Sequence, residues 1–166
     1  MLSENVKKEI DKKIGQYPFK QGACIEALKI VQEERGWISD TSIRDIATYL
    51  EMSVDELDSV ATFYNLIFRK PVGKHVILVC DSVSCLICGY DTIKRRIHDI
   101  LGINPGETTA DNMFTLLPIP CLGACEKAPA LMIDDELYGD LDSEKIEEIL
   151  KLYKKGYEYN ANTADR

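Results

Sequence analysis

Two pairs of cysteines constrain this chain more than any other feature. Cys80 and Cys85 have four residues between them, Cys121 and Cys125 have three, and thirty-five residues separate the pairs. Each pair follows a segment that reads as a strand. HVILVC (75–80) is a continuous apolar, β-branched run, the pattern of a buried strand. FTLLPI (114–119) has strand length too, but Pro118 and the following Pro120 confine it to a sheet edge or a strand end. Loops at strand ends are where α/β folds hold their functional groups, and two such loops can converge.

The segments around them complete a small domain. Ile93, Ile97, Ile100 and Leu101 mark a helix that stops at Gly102. ALMID (130–134) and ELYGD (136–140) flank Asp134-Asp135 as a hairpin. Asp142 or Ser143 caps a last helix with Ile146, Ile149, Leu150 and Tyr153 inward and Gly156 as its stop. The order β-α-β-β-β-α suits an α/β domain of thioredoxin-like type. Residues 1–70 read instead as a helical bundle, its apolar positions three and four residues apart: Val6, Ile10 and Ile14; Ala23, Ala27, Ile30 and Val31; Ile43, Ile46, Ala47 and Leu50. Ser53 and Glu56 form a capping-box signature, with Leu57, Val60, Ala61 and Tyr64 as the apolar face behind it. The expected organisation is a bundle over 1–70, the α/β domain over 71–156 and a disordered tail over 157–166.

Charge and composition exclude several function classes. The chain has 166 residues, with 28 acidic and 20 basic residues, for a net charge of −8. That argues against nucleic acid, which asks for a basic face. No run approaches 18 apolar residues, so no membrane span is expected. The start, MLSENVKKEIDKKIG, lacks the apolar core of a secretory signal, which places the protein in the cytoplasm. In a reducing compartment, six cysteines point to metal binding or catalysis rather than to disulfides. Neither a G-x-G-x-x-G motif nor a P-loop is present.

Four thiolates around two irons are the standard ligation of a [2Fe–2S] cluster, and the two loops suit one. Asp81, Ser82, Ser84, Leu122, Gly123 and Ala124 are small, polar or apolar candidates for contacts with the sulfurs, and neither loop contains lysine or arginine. The spacing also admits a Cys₄ zinc site, in a structural assembly module without electron chemistry. Cys85-Leu86-Ile87-Cys88 has the spacing of a dithiol oxidoreductase, but that leaves Cys121 and Cys125 unused. Cys80-x₄-Cys85-x₂-Cys88 matches the opening of plant-type ferredoxins, though its setting behind a buried strand differs, and Cys88 reads as a semi-buried residue starting the next helix. A Rieske centre needs two histidines, and His75 and His98 read as ordinary surface residues. Cys24 reads as a core or surface thiol. No catalytic acid, base or nucleophile is nominated.

At these residues the chain resembles the thioredoxin-like [2Fe–2S] ferredoxins, and within them the small NuoE-type subunits of complex I, the NADH:quinone oxidoreductase. CDSVSC, CLGAC and the KAP behind it carry the resemblance. RGWIS (35–39), VATFYNLIF (60–68), PVGKHVILVC (71–80), GINPGETTADNMFTLLPIPCLGAC (102–125) and KAPALMID (127–134) extend it over about residues 15–155. The resemblance implies that Cys80, Cys85, Cys121 and Cys125 ligate one [2Fe–2S] cluster. It also implies that the helical part packs against a larger subunit binding NADH and FMN, in a complex peripheral to the cytoplasmic side of the inner membrane. Equivalent subunits occur in NAD-linked hydrogenases and formate dehydrogenases. Cys88 departs from the family pattern. In VATFYNLIF the helix-core reading stands beside one in which Phe63, Tyr64 or Phe68 docks on the flavin subunit.

Overall fold

Three serines set helix starts in the first half of the chain. Their side-chain oxygens accept backbone N–H groups that a helix's first turn leaves without partners. Ser3 accepts from Val6 at 3.3 Å and opens α1 (Glu4–Ile14). Ser39 accepts from Ser42 at 3.1 Å and opens α3 (Asp40–Leu50). Ser53 accepts from Glu56 at 3.2 Å, and Glu56 returns the contact by accepting the Ser53 N–H at 2.9 Å, completing the capping box of α4 (Val54–Phe63). Between α1 and α3 lies α2 (Cys24–Arg35), closed by Gly36 at φ +80°, a left-handed conformation that glycine adopts without steric cost.

The computed structural model describes residues 1–156, so the expected tail over 157–166 lies outside the described residues. The chain divides into two compact units, residues 1–71 and those from 72 onward. In the first unit the predicted apolar positions Ile10, Val31, Ile46, Leu50 and Leu57 meet in one buried core, which Leu28, not marked in the sequence, joins. Arg69 ties the end of the unit to its helices, bonding the Asp58 carboxylate at 2.9 Å, the Asp40 carboxylate at 2.7 Å and the Ile38 carbonyl. The Gln32 side chain accepts from Phe68 N–H at 2.6 Å and donates to Leu66 C=O at 2.8 Å.

One expectation for this unit is corrected. Helix α4 ends at Phe63, and Tyr64 takes an extended backbone outside it (φ −89°, ψ 115°). Phe63 and Tyr64 are therefore not core residues. They are 76% and 42% exposed and stack edge to face at 5.3 Å. From VATFYNLIF only Ala61 and Ile67 are fully inside the core, with Val60 packed at its margin.

Removing the capping hydroxyl in Ser53→Ala is expected to cost about 1 kcal/mol of stability in chemical denaturation. Glu56 adds a pH dependence. Its carboxyl is held below the ordinary value of 4.5, first by the Ser53 N–H and then by the Ser53 hydroxyl. Its contribution is therefore full above pH 4.5 and is lost as pH falls through the lower folded value. Glu56→Gln should flatten that part of the acid limb.

The second unit is a four-stranded sheet carrying helices. In chain order it contains β1 (His75–Cys80), α5 (Val83–Cys88), α6 (Tyr90–Leu101), β2 (Phe114–Ile119), β3 (Leu131–Ile133), β4 (Glu136–Tyr138) and α7 (Ser143–Lys154). The strand order is β2-β1-β3-β4. β1 pairs parallel with β2, from His75 opposite Phe114 to Cys80 opposite Ile119. β3 pairs antiparallel with β1 and with β4, as the hairpin requires. Because alternate strand residues share a face, Ile77 and Val79 of β1 lie on the same face as Phe114 and Leu116 of β2, with Ile77 opposite Leu116. They share a buried core with Ile93 and Ile97 of α6 and Ile146, Leu150 and Tyr153 of α7. Asp142 caps α7 by accepting the Glu144 and Lys145 N–H groups.

Two expectations for this unit are corrected as well. A short helix, α5, stands where the sequence pattern shows only a loop. His75 is not a surface residue: it is 3% exposed, and its ring lies 4.9 Å from that of Tyr153 and 5.7 Å from that of Phe114. A buried imidazole needs a polar partner. Asp134 supplies it from the hairpin turn, with Oδ2 2.7 Å from His75 Nδ1 and Oδ1 accepting the Val76 N–H at 3.0 Å. Among the described residues no helix is long and apolar enough to cross a membrane.

Candidate metal centre

Parallel pairing in register ends β1 and β2 at the same edge of the sheet, and both cysteine pairs leave from that edge. Cys80 is the last residue of β1. Its N–H donates to Ala130 C=O at 3.1 Å, and the next N–H, that of Asp81, donates to Ile119 C=O at 3.1 Å. The chain then turns at Ser82 into α5, whose third residue is Cys85. Cys80 and Cys85 are 3% and 1% exposed and share a small buried cluster with Ala124 and Ala130.

The second pair lies in the open. Cys121 and Cys125 are both exposed. Gly123 turns the chain between them at φ +75°, in the left-handed region, and its N–H donates to Cys121 Sγ at 3.3 Å. Cys125 begins a 3₁₀ turn, Cys125–Lys127, and its Sγ stands 3.9 Å from that of Cys121. Two thiolates about 2.3 Å from one tetrahedral metal ion lie about 3.8 Å apart, so this pair already has the span of a shared ion.

Contacts cross between the loops. The Leu122 N–H reaches Cys80, and the Ser84 hydroxyl reaches Cys125. Burial pushes the Cys80 thiol up, but the Ser82 and Leu122 N–H groups, the Cys85 thiol and the Ser82 hydroxyl together bring it below its ordinary range. Burial pushes Cys85 up to about 11, with the Ala130 N–H pulling against it and Cys80 and Cys125 adding to it. Cys125 is raised first by its hydrogen bond to Cys121 and then by the charge there. Charge on Cys80 and Cys125 disfavours charge on Cys85, and charge on Cys121 and Cys80 disfavours charge on Cys125. A bound cation removes that repulsion, so loading the site releases protons. Among the described residues no three His, Cys, Asp or Glu side chains gather about the position of a single ion. The thiols stand as two pairs, an arrangement suited to two irons with two thiolates each.

The family model of the thioredoxin-like [2Fe–2S] ferredoxins matches residues 10–154. The chain belongs to this family. Its cofactor is a [2Fe–2S] cluster, and the donor set at the sheet edge fits that group. Curated relatives agree over nearly the whole length. The E subunit of the NADH-quinone oxidoreductase of Pseudomonas aeruginosa is 47% identical over 153 residues, 92% of this chain and 92% of that one. Its counterpart from Escherichia coli K12 gives the same values. Among solved structures, the air-oxidized NAD⁺-reducing [NiFe]-hydrogenase matches the fold with a TM-score of 0.70 at 21% identity, covering 82% of this chain and 23% of that one.

In this ferredoxin-family chain the remaining candidates separate clearly. Ser82, Ser84, Leu122 and Gly123 all contact a sulfur. Ala124 packs behind the buried pair, and Asp81 serves the strand ladder. Ala130, whose N–H meets Cys85, escapes sequence reasoning, since nothing in the spacing marks it. Cys88 is exposed at the end of α5, not semi-buried at the start of the next helix. Cys24 is half-buried against the first unit's core. His98 is exposed, its Nδ1 3.2 Å from Ile103 C=O.

The β3–β4 hairpin also braces the site. Asp140 N–H donates to Lys127 C=O at 2.7 Å, holding the Cys125 turn against the end of the hairpin. The approach requires glycine: a Cβ at Gly139 would lie 2.5 Å from Lys127 Cβ and 2.8 Å from its carbonyl oxygen. Gly139→Ala is expected to cost about 1–3 kcal/mol through overpacking and to lower iron content by displacing Cys125. Thermal denaturation and iron analysis of the purified variant check both.

Proposed function

We propose that this chain is the electron-transfer subunit of an NADH:quinone oxidoreductase, with its [2Fe–2S] cluster held by Cys80, Cys85, Cys121 and Cys125. The observation that carries the reading is the meeting of two cysteine pairs at one sheet edge, in a chain 47% identical over 92% of its length to the E subunit of such a complex. When bound, the cluster supplies one-electron redox chemistry, which lets a two-electron donor such as reduced flavin discharge in single steps. The chain's own residues ligate and tune. Cys80 and Cys85 give a dry half-site and Cys121 and Cys125 an open one. The Ser82, Leu122, Gly123 and Ala130 N–H groups point their positive ends at sulfur, which favours added negative charge on reduction. No proton transfer is asked of this chain, and its role as an enzyme is as part of the complex.

The partner in this reading is a subunit carrying FMN and binding NADH, in a peripheral arm on the cytoplasmic side of the membrane. Phe63 and Tyr64, exposed and stacked on each other, supply the kind of aromatic surface that interfaces favour. Phe63→Ala combined with Tyr64→Ala is expected to weaken capture of the flavin subunit at least about tenfold, since interface anchors are worth about 2 kcal/mol or more, while melting temperature and cluster spectrum stay unchanged. Unaltered capture would remove these residues from the interface.

The test of function is anaerobic addition of NADH to the chain co-purified with the flavin subunit. Bleaching of the cluster's visible absorbance, dependent on that subunit, is expected. A loaded cluster that NADH leaves oxidised, while dithionite reduces it, would assign the chain to a different donor.

A further inference from the structure

We propose that Cys121 and Cys125 are a reversible oxidation site, joined as a disulfide when the chain meets a peroxide before its cluster is inserted. Their sulfurs lie 3.9 Å apart and both residues are exposed. A disulfide bond is about 2.05 Å long, so the pair needs to close by less than about 2 Å. The loop allows this movement. Cys121 to Ala124 lie outside helix and strand, and no atom beyond Gly123 and its two chain neighbours stands within 4 Å of where a Cβ on Gly123 would sit.

The other pair is protected. Cys80 is fixed in the β1 ladder and Cys85 in α5, and both are almost fully buried, so a soluble oxidant reaches the open pair first. Cys88 is exposed too, but as the end of α5, six residues long. The two half-sites therefore differ in chemistry as well as in burial.

The step balances with hydrogen peroxide as the oxidant. One thiolate attacks a peroxide oxygen, the O–O bond breaks, and a sulfenic acid and hydroxide form. The second thiolate attacks the sulfenic sulfur, the S–S bond forms, and hydroxide leaves. Two thiols are oxidised by two electrons in all, and peroxide is reduced to two waters once the protons are counted. A dithiol reverses the change. On the ligand assignment proposed above, the disulfide withdraws two of the four donors, so the oxidised chain is closed to iron until it is reduced.

The full-length chain, stripped of iron and sulfide under reducing conditions, is treated anaerobically with a stoichiometric amount of hydrogen peroxide. It is then alkylated in denaturant and digested with trypsin. Cleavage at lysine and arginine places Cys121 and Cys125 in the peptide Ile97–Lys127, and Cys80, Cys85 and Cys88 in His75–Lys94. The expected result is that Ile97–Lys127 takes no label and is lighter by two hydrogens, that His75–Lys94 is labelled at all its cysteines, and that dithiothreitol reverses the first change. The same oxidation in guanidinium should give a mixture of pairings. Label on both Cys121 and Cys125, a cross-link between the two peptides, or the same mixture with and without guanidinium would overturn the proposal. Iron uptake is measured separately on oxidised and reduced chain. If the reduced chain also takes up no iron, the ligand assignment fails while the peptide map still decides the disulfide.

Discussion

Cys85→Ser is expected to leave the chain without its cluster. Cys85 is one of two sulfurs on the buried side of the site, and no other described side chain shares its position at the start of α5. Changes to groups that only orient a ligand already cost about 10–100-fold in metal affinity, so removing the ligand itself should lower iron and sulfide by more than about tenfold. Cys121→Ser should do the same from the open side. Cys88→Ser should retain iron, sulfide and spectrum in full, since Cys88 lies exposed past the end of the buried pair. Retention of a cluster in Cys85→Ser and its loss in Cys85→Ser combined with Cys88→Ser would make Cys88 a ligand in reserve.

Phe114→Ala should produce the largest loss of stability, about 3–5 kcal/mol. Phe114 is 1% exposed at the start of β2, opposite His75, with its ring against the imidazole. It packs in the same core as Ile77, Ile97 and Tyr153, so truncation opens a cavity between the sheet and its helices. Folded domains hold only about 5–15 kcal/mol in total. The variant should unfold at a much lower urea midpoint, with little change in the slope of the transition. Because β2 sets the register that brings the two loops together, cluster retention should fall as well. A loss below about 1 kcal/mol would show that the site collapses around the missing ring.

What can be read from the sequence divides by distance along the chain. The capping box at Ser53 and Glu56, the stop at Gly102 and the β3–β4 hairpin depend on residues a few positions apart, and each stands where the sequence places it. The apolar run of β1 announces burial on both faces, and Pro118 announces that β2 lies at an edge. Helix α5 is not legible, because six residues make fewer than two turns and show no periodicity. The burial of His75 depends on Asp134, 59 residues away. Nothing local signals such a pair. Tyr64 fits the spacing of α4, but spacing does not say that a helix stops one residue short of it. At the metal centre the cysteines are legible as residue types in two loops. That one pair is dry and the other open depends on where β1 and α5 pack, and so does the sulfur contact of Ala130.

The most direct test of a one-electron cluster on this chain is metal, sulfide and EPR analysis of anaerobically purified protein. Two irons and two acid-labile sulfides per chain, with a spin-one-half signal appearing on dithionite reduction, are expected. One zinc and no iron, persisting after attempted reconstitution with iron and sulfide, would contradict the account and leave the four cysteines as a structural metal site.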